Sequence, residues 1–233
     1  MIEKTLKTTE GKLRVKIPDQ LNEVTLGQMM DLQQKPTLND LEAISILSGI
    51  SVDRLQNVCD INDFGVFNDP VVSLSHQIKH IYNSDAVPKK IAMEYCGIAK
   101  TVNVISNLSI EPAGAFMAAR EIIAEEITEH IKQYGPDKWE TFFNPSLKAC
   151  CQVLAHYFFC RATGKKYNEY EAEEFCDEIR KLRVTEAIPV AKHFFLAYPN
   201  LSRRKTNCFR QFRQFWKKRQ AYSHLKNLSI STP

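Results

Sequence analysis

Alternating hydrophobic and polar positions mark two short strands in the sequence. Residues 12–17 read KLRVKI, in which three bases alternate with three aliphatic side chains. This period of two is typical of a strand with one buried face and one solvated face, and Pro18 ends it. Alternate positions are again hydrophobic over Lys90–Cys96, which predicts a second strand that turns at Gly97 into residues 101–105.

Helical spacing and capping residues predict the rest of the first half. A helix is expected between Asn39 and Gly49, because an N-cap asparagine, Glu42 three positions later and a C-terminal glycine are its usual boundaries. Thr25 is a similar N-cap. The other predictions are a helix at 26–33 ending before Pro36, a short helix at 51–58, a loop at 63–70 and more helix near 76–81.

The second half of the sequence is predicted to be mainly helical. A helix over 112–134 has Ile123, Ile127, Ile131 and Tyr134 on one stripe and Glu121, Glu125 and Glu129 on another. A helix over 145–162 is apolar almost all round, which predicts a central, buried position. Further helices are expected from the capping pair Asn168 and Glu171 to about Leu182, over 187–198, and over 202–225.

These elements predict an α+β fold that is predominantly helical. Two helical halves, 1–86 and 87–201, are each preceded by a short strand or hairpin, and residues 202–233 are predicted to be a basic amphipathic tail that contains the C-terminal helix. Residues 21–26 and 105–110 share a pattern of apolar, polar and hydroxyl positions, with Thr25 and Ser109 where N-caps would lie. A duplicated strand-to-helix unit would explain this similarity.

Charge divides the chain unevenly. Of its 233 residues, 31 are Lys or Arg and 27 are Asp or Glu, but ten of those bases and none of the acids follow Glu186. The segment after Glu186 therefore carries +10, and the preceding 186 residues carry −6. Such asymmetry usually marks a partner surface.

Other features of the composition exclude several classes of protein. The seven cysteines are an odd set without a repeated CxxC spacing, so we expect reduced thiols and no disulfide framework. The N-terminal residues contain no apolar signal segment, and no hydrophobic run approaches the roughly 20 residues of a membrane-spanning helix. We therefore expect no membrane-spanning segment, and no membrane is among the predicted partners.

Candidate catalytic and metal-binding residues are better explained as ordinary structure. His76 and His80 have the spacing of a zinc-binding helix, but Gln77 stands where a zinc peptidase needs its glutamate base. We expect exposed histidines there and core packing for Cys150, Cys151, His156 and Cys160, which do not converge on one point. The paired carboxylates Glu125–Glu126 and Glu173–Glu174 are expected on solvent-facing surfaces. We predict no enzyme, no cofactor and no metal.

The C-terminal segment carries the most specific pattern in the sequence. Three aromatic residues recur at steps of three and four, and bases at the same steps form the adjacent stripe. The predicted partner-binding residues are Arg203, Arg204, Phe209, Arg210, Phe212, Arg213, Trp216 and Lys217. Three aligned rings favour a protein groove on a sister subunit or partner. Nucleic-acid phosphates, a membrane surface and the chain's own acidic part are the alternatives.

Three stretches resemble a known group of proteins. IPDQLNEVTLGQMMDLQ (17–33), LEAISILSGISVDRLQNV (41–58) and VTEAIPVAKHFF (184–195) are similar to tail and neck morphogenesis proteins of tailed bacteriophages of Bacteroides-type hosts, including crAss-like phages. The resemblance implies a small, helix-rich structural component or tail assembly chaperone that binds other virion or assembly proteins. It identifies no individual functional residue and does not extend to the basic C-terminal segment.

We therefore expect a non-enzymatic protein of a tailed-phage virion, located in the virion or in the host cytoplasm during assembly. The expected partners are other virion or assembly proteins, including further copies of the chain in a homo-oligomer. A nucleic-acid-binding protein that uses the basic C-terminal helix as an electrostatic arm is the alternative function.

Overall fold

Two antiparallel hairpins and a larger set of helices make up the fold. The computed structural model describes residues 1–35, 38–78, 80, 82, 86–104, 112–135 and 143–197. The hairpins are β1 (Ile2–Thr8) with β2 (Gly11–Ile17), and β3 (Lys90–Tyr95) with β4 (Ile98–Asn103). The predicted class, α+β and mostly helical, is confirmed. The C-terminal helix predicted over 202–225 and the cap predicted at Ser109 lie outside the described residues.

The helices follow in chain order. They are α1 (Leu26–Gln34), α2 (Asp40–Ser48), α3 (Val52–Gln56), α4 (Asn68–Ile78), α5 (Ala113–Tyr134), α6 (Leu147–Thr163), α7 (Glu169–Glu174), α8 (Cys176–Ile179) and α9 (Val184–Ala197). Two 3₁₀ helices, Leu21–Glu23 and Ile61–Phe67, complete the described elements.

The first hairpin confirms the predicted strand and adds one that the sequence pattern did not reveal. The three aliphatic side chains of β2 are buried and its three bases are exposed, as the pleat of a strand requires. In β1, Leu6 is the single buried residue, and it pairs with Leu13. The hydrophobic alternation in β1 is too weak to predict a strand, and its pairing with β2 stabilises it instead.

Capping residues define several helix boundaries as predicted. Asn39 and Glu42 form a reciprocal capping box at α2, and Gly49 ends that helix in the left-handed conformation. Thr25 forms an equivalent box with Gln28 at α1. Both boxes satisfy backbone N–H groups that a helix otherwise leaves without a partner.

Two predictions about local structure are wrong. Residues 63–70 are not a loop, since they belong to the 3₁₀ helix and the first turn of α4. Phe67 is fully buried and anchors this segment, while Pro70 lies in the first turn, where its missing N–H costs no hydrogen bond. The helix predicted from Asn168 to Leu182 is interrupted at Phe175, whose buried ring packs against Tyr95 and Phe159.

The core is built around α6, which is buried along nearly its whole length as predicted. Helices α5 and α9 make its most extensive contacts, and α7, α8, α1 and the second hairpin cover the remaining sides. Aromatic rings fill the space between α6 and α9, where the Tyr157 and Phe194 ring centroids are 4.2 Å apart. α9 begins at Val184, three residues before the predicted start.

Hydrogen bonds connect the beginning of the chain to its later helices. The backbone N–H groups of Leu26 and Gly27 donate to the carbonyl oxygens of Leu182 and Arg180, each at 2.8 Å. The Arg180 guanidinium also pairs with Asp31 at 2.7 Å. Met1–Ala197 forms one compact unit, while the division of the sequence at residues 86 and 201 stays a prediction.

We expect Gly114→Ala to destabilise the protein by about 1–3 kcal/mol, the usual cost of overpacking. A Cβ at Gly114 would lie 2.7 Å from two ring atoms of Tyr167. Urea unfolding of the two chains measures the difference. Gly65→Ala is the control, because a Cβ there meets no atom within 4 Å, and its effect should stay within about 0.5 kcal/mol. An equally small effect at Gly114 would contradict the predicted clash.

Candidate protein-docking site

The predicted partner-binding residues of the C-terminal segment, from Arg203 to Lys217, all lie outside the described residues. The described part of the chain instead provides the surfaces that a partner would meet. It also shows which contacts are made by the histidine, cysteine and glutamate side chains that the sequence analysis considered.

The histidines and cysteines singled out in the sequence do not come together. His76 and His80 are exposed near the end of α4, whereas Cys150, Cys151 and His156 are buried on α6. Among the described residues, no group of three or more His, Cys, Asp or Glu side chains is placed to hold a metal ion. The expected absence of metal and of catalysis stays a prediction.

His156 makes a buried hydrogen bond. Its Nδ1 atom lies 2.9 Å from the Tyr167 hydroxyl. Burial lowers the pKa of His156, although the nearby Glu173 carboxylate acts in the opposite direction. Burial also raises the pKa of Tyr167 to about 12. Both side chains are therefore neutral at physiological pH, and the pair holds the loop after α6 against that helix.

A pair of thiols lies between α6 and α8. The Cys151 Sγ donates to the carbonyl oxygen of Cys176 at 3.6 Å, and a hydrogen bond also joins the two side chains. That bond, followed by burial, raises the pKa of Cys151, and the same bond lowers the pKa of the half-buried Cys176. Sequence reasoning missed the pair because 25 residues separate its members and only the packing of α8 on α6 joins them.

The paired glutamates of α5 have different environments. Glu121, Glu125 and Glu129 form an exposed stripe opposite the buried Ile123 and Ile127, as predicted. In the described part of the chain these three carboxylates form no ion pair.

Glu126 is not a solvent-facing surface group, contrary to the prediction. It is half-buried, and its carboxylate accepts hydrogen bonds from the backbone N–H and the hydroxyl of Ser146, the N-cap of α6. Glu126 thus stabilises the start of the central helix. The other predicted pair, Glu173–Glu174, is exposed.

An open groove of about 440 Å³ lies between the beginning of α2 and the 3₁₀ helix Ile61–Phe67. Its lining is apolar at the centre and polar at the edge. The lining residues are Asn39, Asp40, Leu41, Ile44, Ile61, Asn62, Phe64, Gly65 and Asn68. Ile44 forms the buried floor, Leu41 and Phe64 are half-buried, and the Ile61 side chain is 78% exposed. We name this surface the α2 groove.

Local interactions hold both walls of the α2 groove in place. The capping box of α2 positions Asp40 and Leu41 in the first turn of that helix. On the other wall, the Asp60 carboxylate accepts from the Asn62 backbone N–H at 2.9 Å and begins the 3₁₀ helix. Lys4 of β1 pairs with Asp63 at 2.9 Å. Three of the lining residues, Phe64, Gly65 and Asn68, therefore come from the segment that the sequence pattern assigned to a loop.

The edge of the α2 groove is acidic. Asp40 lines it, and the exposed Asp60 and Asp69 flank the lining residues Ile61 and Asn68. None of these three carboxylates has an ion-pair partner among the residues described. The neighbouring bases are already neutralised, since Lys4 pairs with Asp63 and Lys35 pairs with Glu42. A basic, apolar ligand would find both kinds of complementarity here.

Comparisons of the chain with protein families, with curated proteins and with solved structures find no match. Within the described residues, no helix has both the length and the hydropathy required to cross a membrane. The function is therefore inferred from the surface features of the molecule.

We expect Cys176 to be alkylated faster than Cys150 or Cys151 in the native protein, because the thiolate is the reactive form of cysteine. Burial raises the pKa of Cys150, whereas the hydrogen bond from Cys151 lowers that of Cys176. Isotope-coded iodoacetamide and mass spectrometry at pH 7.5 measure the rate at each site. Cys151→Ala should slow alkylation of Cys176, and Cys160→Ala is the control that leaves it unchanged. If Cys176 is alkylated at the same rate in the wild-type chain and in both variants, the proposed role of the hydrogen bond is contradicted.

Proposed function

We propose that the protein is a non-enzymatic structural or assembly protein of a tailed-phage virion, from the tail or neck region, and that it acts through protein–protein interfaces. The observation that carries the proposal is the division of charge. Residues 1–186 are net acidic, and the segment after them is basic and combines its bases with three aromatic residues at helical spacing. The phage setting is supported by the resemblance of residues 17–33, 41–58 and 184–195.

The hydrogen bonds made by the potentially reactive side chains are consistent with this role. His156 is hydrogen-bonded to Tyr167, Cys151 to the Cys176 carbonyl oxygen, and Glu126 to Ser146, the N-cap of α6. These groups contribute to packing in the described structure. The surface offers partner sites instead, namely the α2 groove and the exposed carboxylates of α5.

A nucleic-acid-binding protein is the second candidate. Nine bases lie within residues 203–226, and no acid lies among them. Phosphate binding requires such charge but makes no use of three aligned rings. The ring spacing therefore favours a protein partner over DNA or RNA.

We expect a chain that ends at Leu201 to fold but to lose its place in the virion. The remaining residues include all of Met1–Ala197, which is one compact unit. Circular dichroism tests the fold, and quantitative mass spectrometry of gradient-purified particles tests incorporation after expression in host cells infected by the phage. A chain that ends at Lys226 keeps every predicted partner-binding residue and is the control. Unfolding of the shorter chain, or its normal incorporation, would refute the proposal.

We expect the purified full chain to bind duplex DNA of arbitrary sequence only weakly. If six or more bases contacted phosphates, affinity would fall by orders of magnitude between roughly 50 and 200 mM salt. Fluorescence anisotropy over this range measures the slope. The triple variant Phe209→Ala, Phe212→Ala, Trp216→Ala provides the comparison. Tight, steeply salt-dependent binding that survives the loss of all three rings would establish the nucleic-acid alternative.

A further inference from the structure

We propose that the α2 groove binds the basic C-terminal segment, residues 203–217, of a second copy of the chain, so that copies associate head to tail. This inference rests on the proposed function, because it names one partner for the predicted partner-binding residues. Three properties make the two surfaces complementary: the spacing of the aromatic residues, the apolar lining of the groove and the opposite charges at its edge.

The spacing of the aromatic residues fits a groove. Phe209, Phe212 and Trp216 stand at positions i, i+3 and i+7, which are the anchor positions of an amphipathic helix laid into a hydrophobic groove. Aromatic side chains each bury roughly 150–250 Å² and dominate such interfaces. Three anchors on one stripe therefore require an apolar receiving surface.

The α2 groove provides that receiving surface. Ile44 forms its floor, Leu41 and Phe64 are partly accessible on its walls, and Ile61 exposes 78% of its side chain at the rim. An isoleucine this exposed gains free energy when another apolar surface covers it. The acidic stripe of α5 has less apolar surface beside it, since the exposed large apolar residues of that helix, Met117 and Tyr134, lie near its opposite ends.

Charges at the edge of the groove complement the segment. Arg210, Arg213 and Lys217 each follow an aromatic anchor by one residue, so they form the adjacent stripe of the same predicted helix. The groove presents Asp40 at its edge, with Asp60 and Asp69 beside it, and no Lys or Arg occurs among its described lining residues. Opposite charges around an apolar centre steer association and fix orientation.

The proposed contact has a definite symmetry. The groove and the basic segment are different parts of the chain, so the contact is heterologous, and two copies joined by one contact leave one groove and one segment free between them. Reciprocal exchange of segments between two copies gives a closed dimer, and repetition of the contact gives a larger ring or an open filament. Each copy carries one groove and one segment, so the two binding surfaces are present in the equal numbers that a repeating assembly needs.

Mixing two complementary variants tests the proposal directly. Ile61→Asp disables the groove and leaves the segment intact, whereas the double variant Phe212→Ala, Trp216→Ala disables the segment and leaves the groove intact. Sedimentation velocity of the full-length chains from about 1 to 100 µM measures their masses. We expect the wild-type chain to form species larger than the 26.8 kDa monomer, and each variant alone to remain monomeric.

The equimolar mixture of the two variants should form a 1:1 dimer and nothing larger, because it contains one working groove and one working segment per pair. Ile98→Asp is the matched control, since Ile98 is an exposed apolar residue of β4 that does not line the α2 groove. It should associate like the wild-type chain. Circular dichroism shows whether each variant is folded.

A second groove variant, Asp40→Lys, changes an exposed side chain and should raise the apparent dissociation constant at least tenfold. The inference is overturned if the wild-type chain is a monomer throughout, if Ile61→Asp and Asp40→Lys associate normally, or if the mixture yields no dimer. If the association experiments fail but truncation at Leu201 abolishes virion incorporation, the proposed function stands and the segment has a different partner. Normal incorporation of the truncated chain would remove the proposed function itself.

Discussion

Burial of α6 on nearly every face is the constraint on which the rest of the fold depends. Twelve of its 17 residues are buried, so no side of the helix can be left to solvent without a large loss of hydrophobic free energy. Helices α5 and α9 cover two sides, and α7, α8, α1 and the second hairpin cover the others. Because the helices that do this come from both ends of the described chain, a central helix joins segments that are distant in sequence.

The same burial determines what the polar side chains of the core do. A buried polar group is costly unless it is hydrogen-bonded, and α6 carries His156 and two cysteines at positions closed to solvent. His156 bonds to Tyr167, and the Cys151 thiol bonds to the backbone of Cys176. Side chains that would be reactive at a surface thus stabilise the packing around α7 and α8. In the described structure, the charged and polar side chains that a partner can reach lie on the exterior.

On that exterior, the α2 groove brings charge and apolar surface together. The α2 groove combines an exposed Ile61 with Asp40 at its edge, while the exposed glutamates of α5 lie beside little apolar surface. Charge alone attracts many partners weakly, whereas an apolar groove with a charged edge selects a ligand that has both features. By its sequence the basic segment has both features, so the proposed contact would connect the division of charge along the chain to a particular surface of the fold.

The sequence by itself determined the elements whose signals are local. Strand β2, the capped helices α1 and α2 and the almost wholly apolar α6 were predicted because strand alternation, N-cap hydrogen bonds and helical periodicity act within a few residues. Tertiary structure decided what depends on distant partners. Strand β1 exists through its pairing with β2, the helix after Asn168 breaks where Phe175 packs against Tyr95 and Phe159, and the 3₁₀ wall of the α2 groove is held by the burial of Phe67. The candidate groove escaped prediction for this reason, since its residues come from separate segments that only the packed fold brings together.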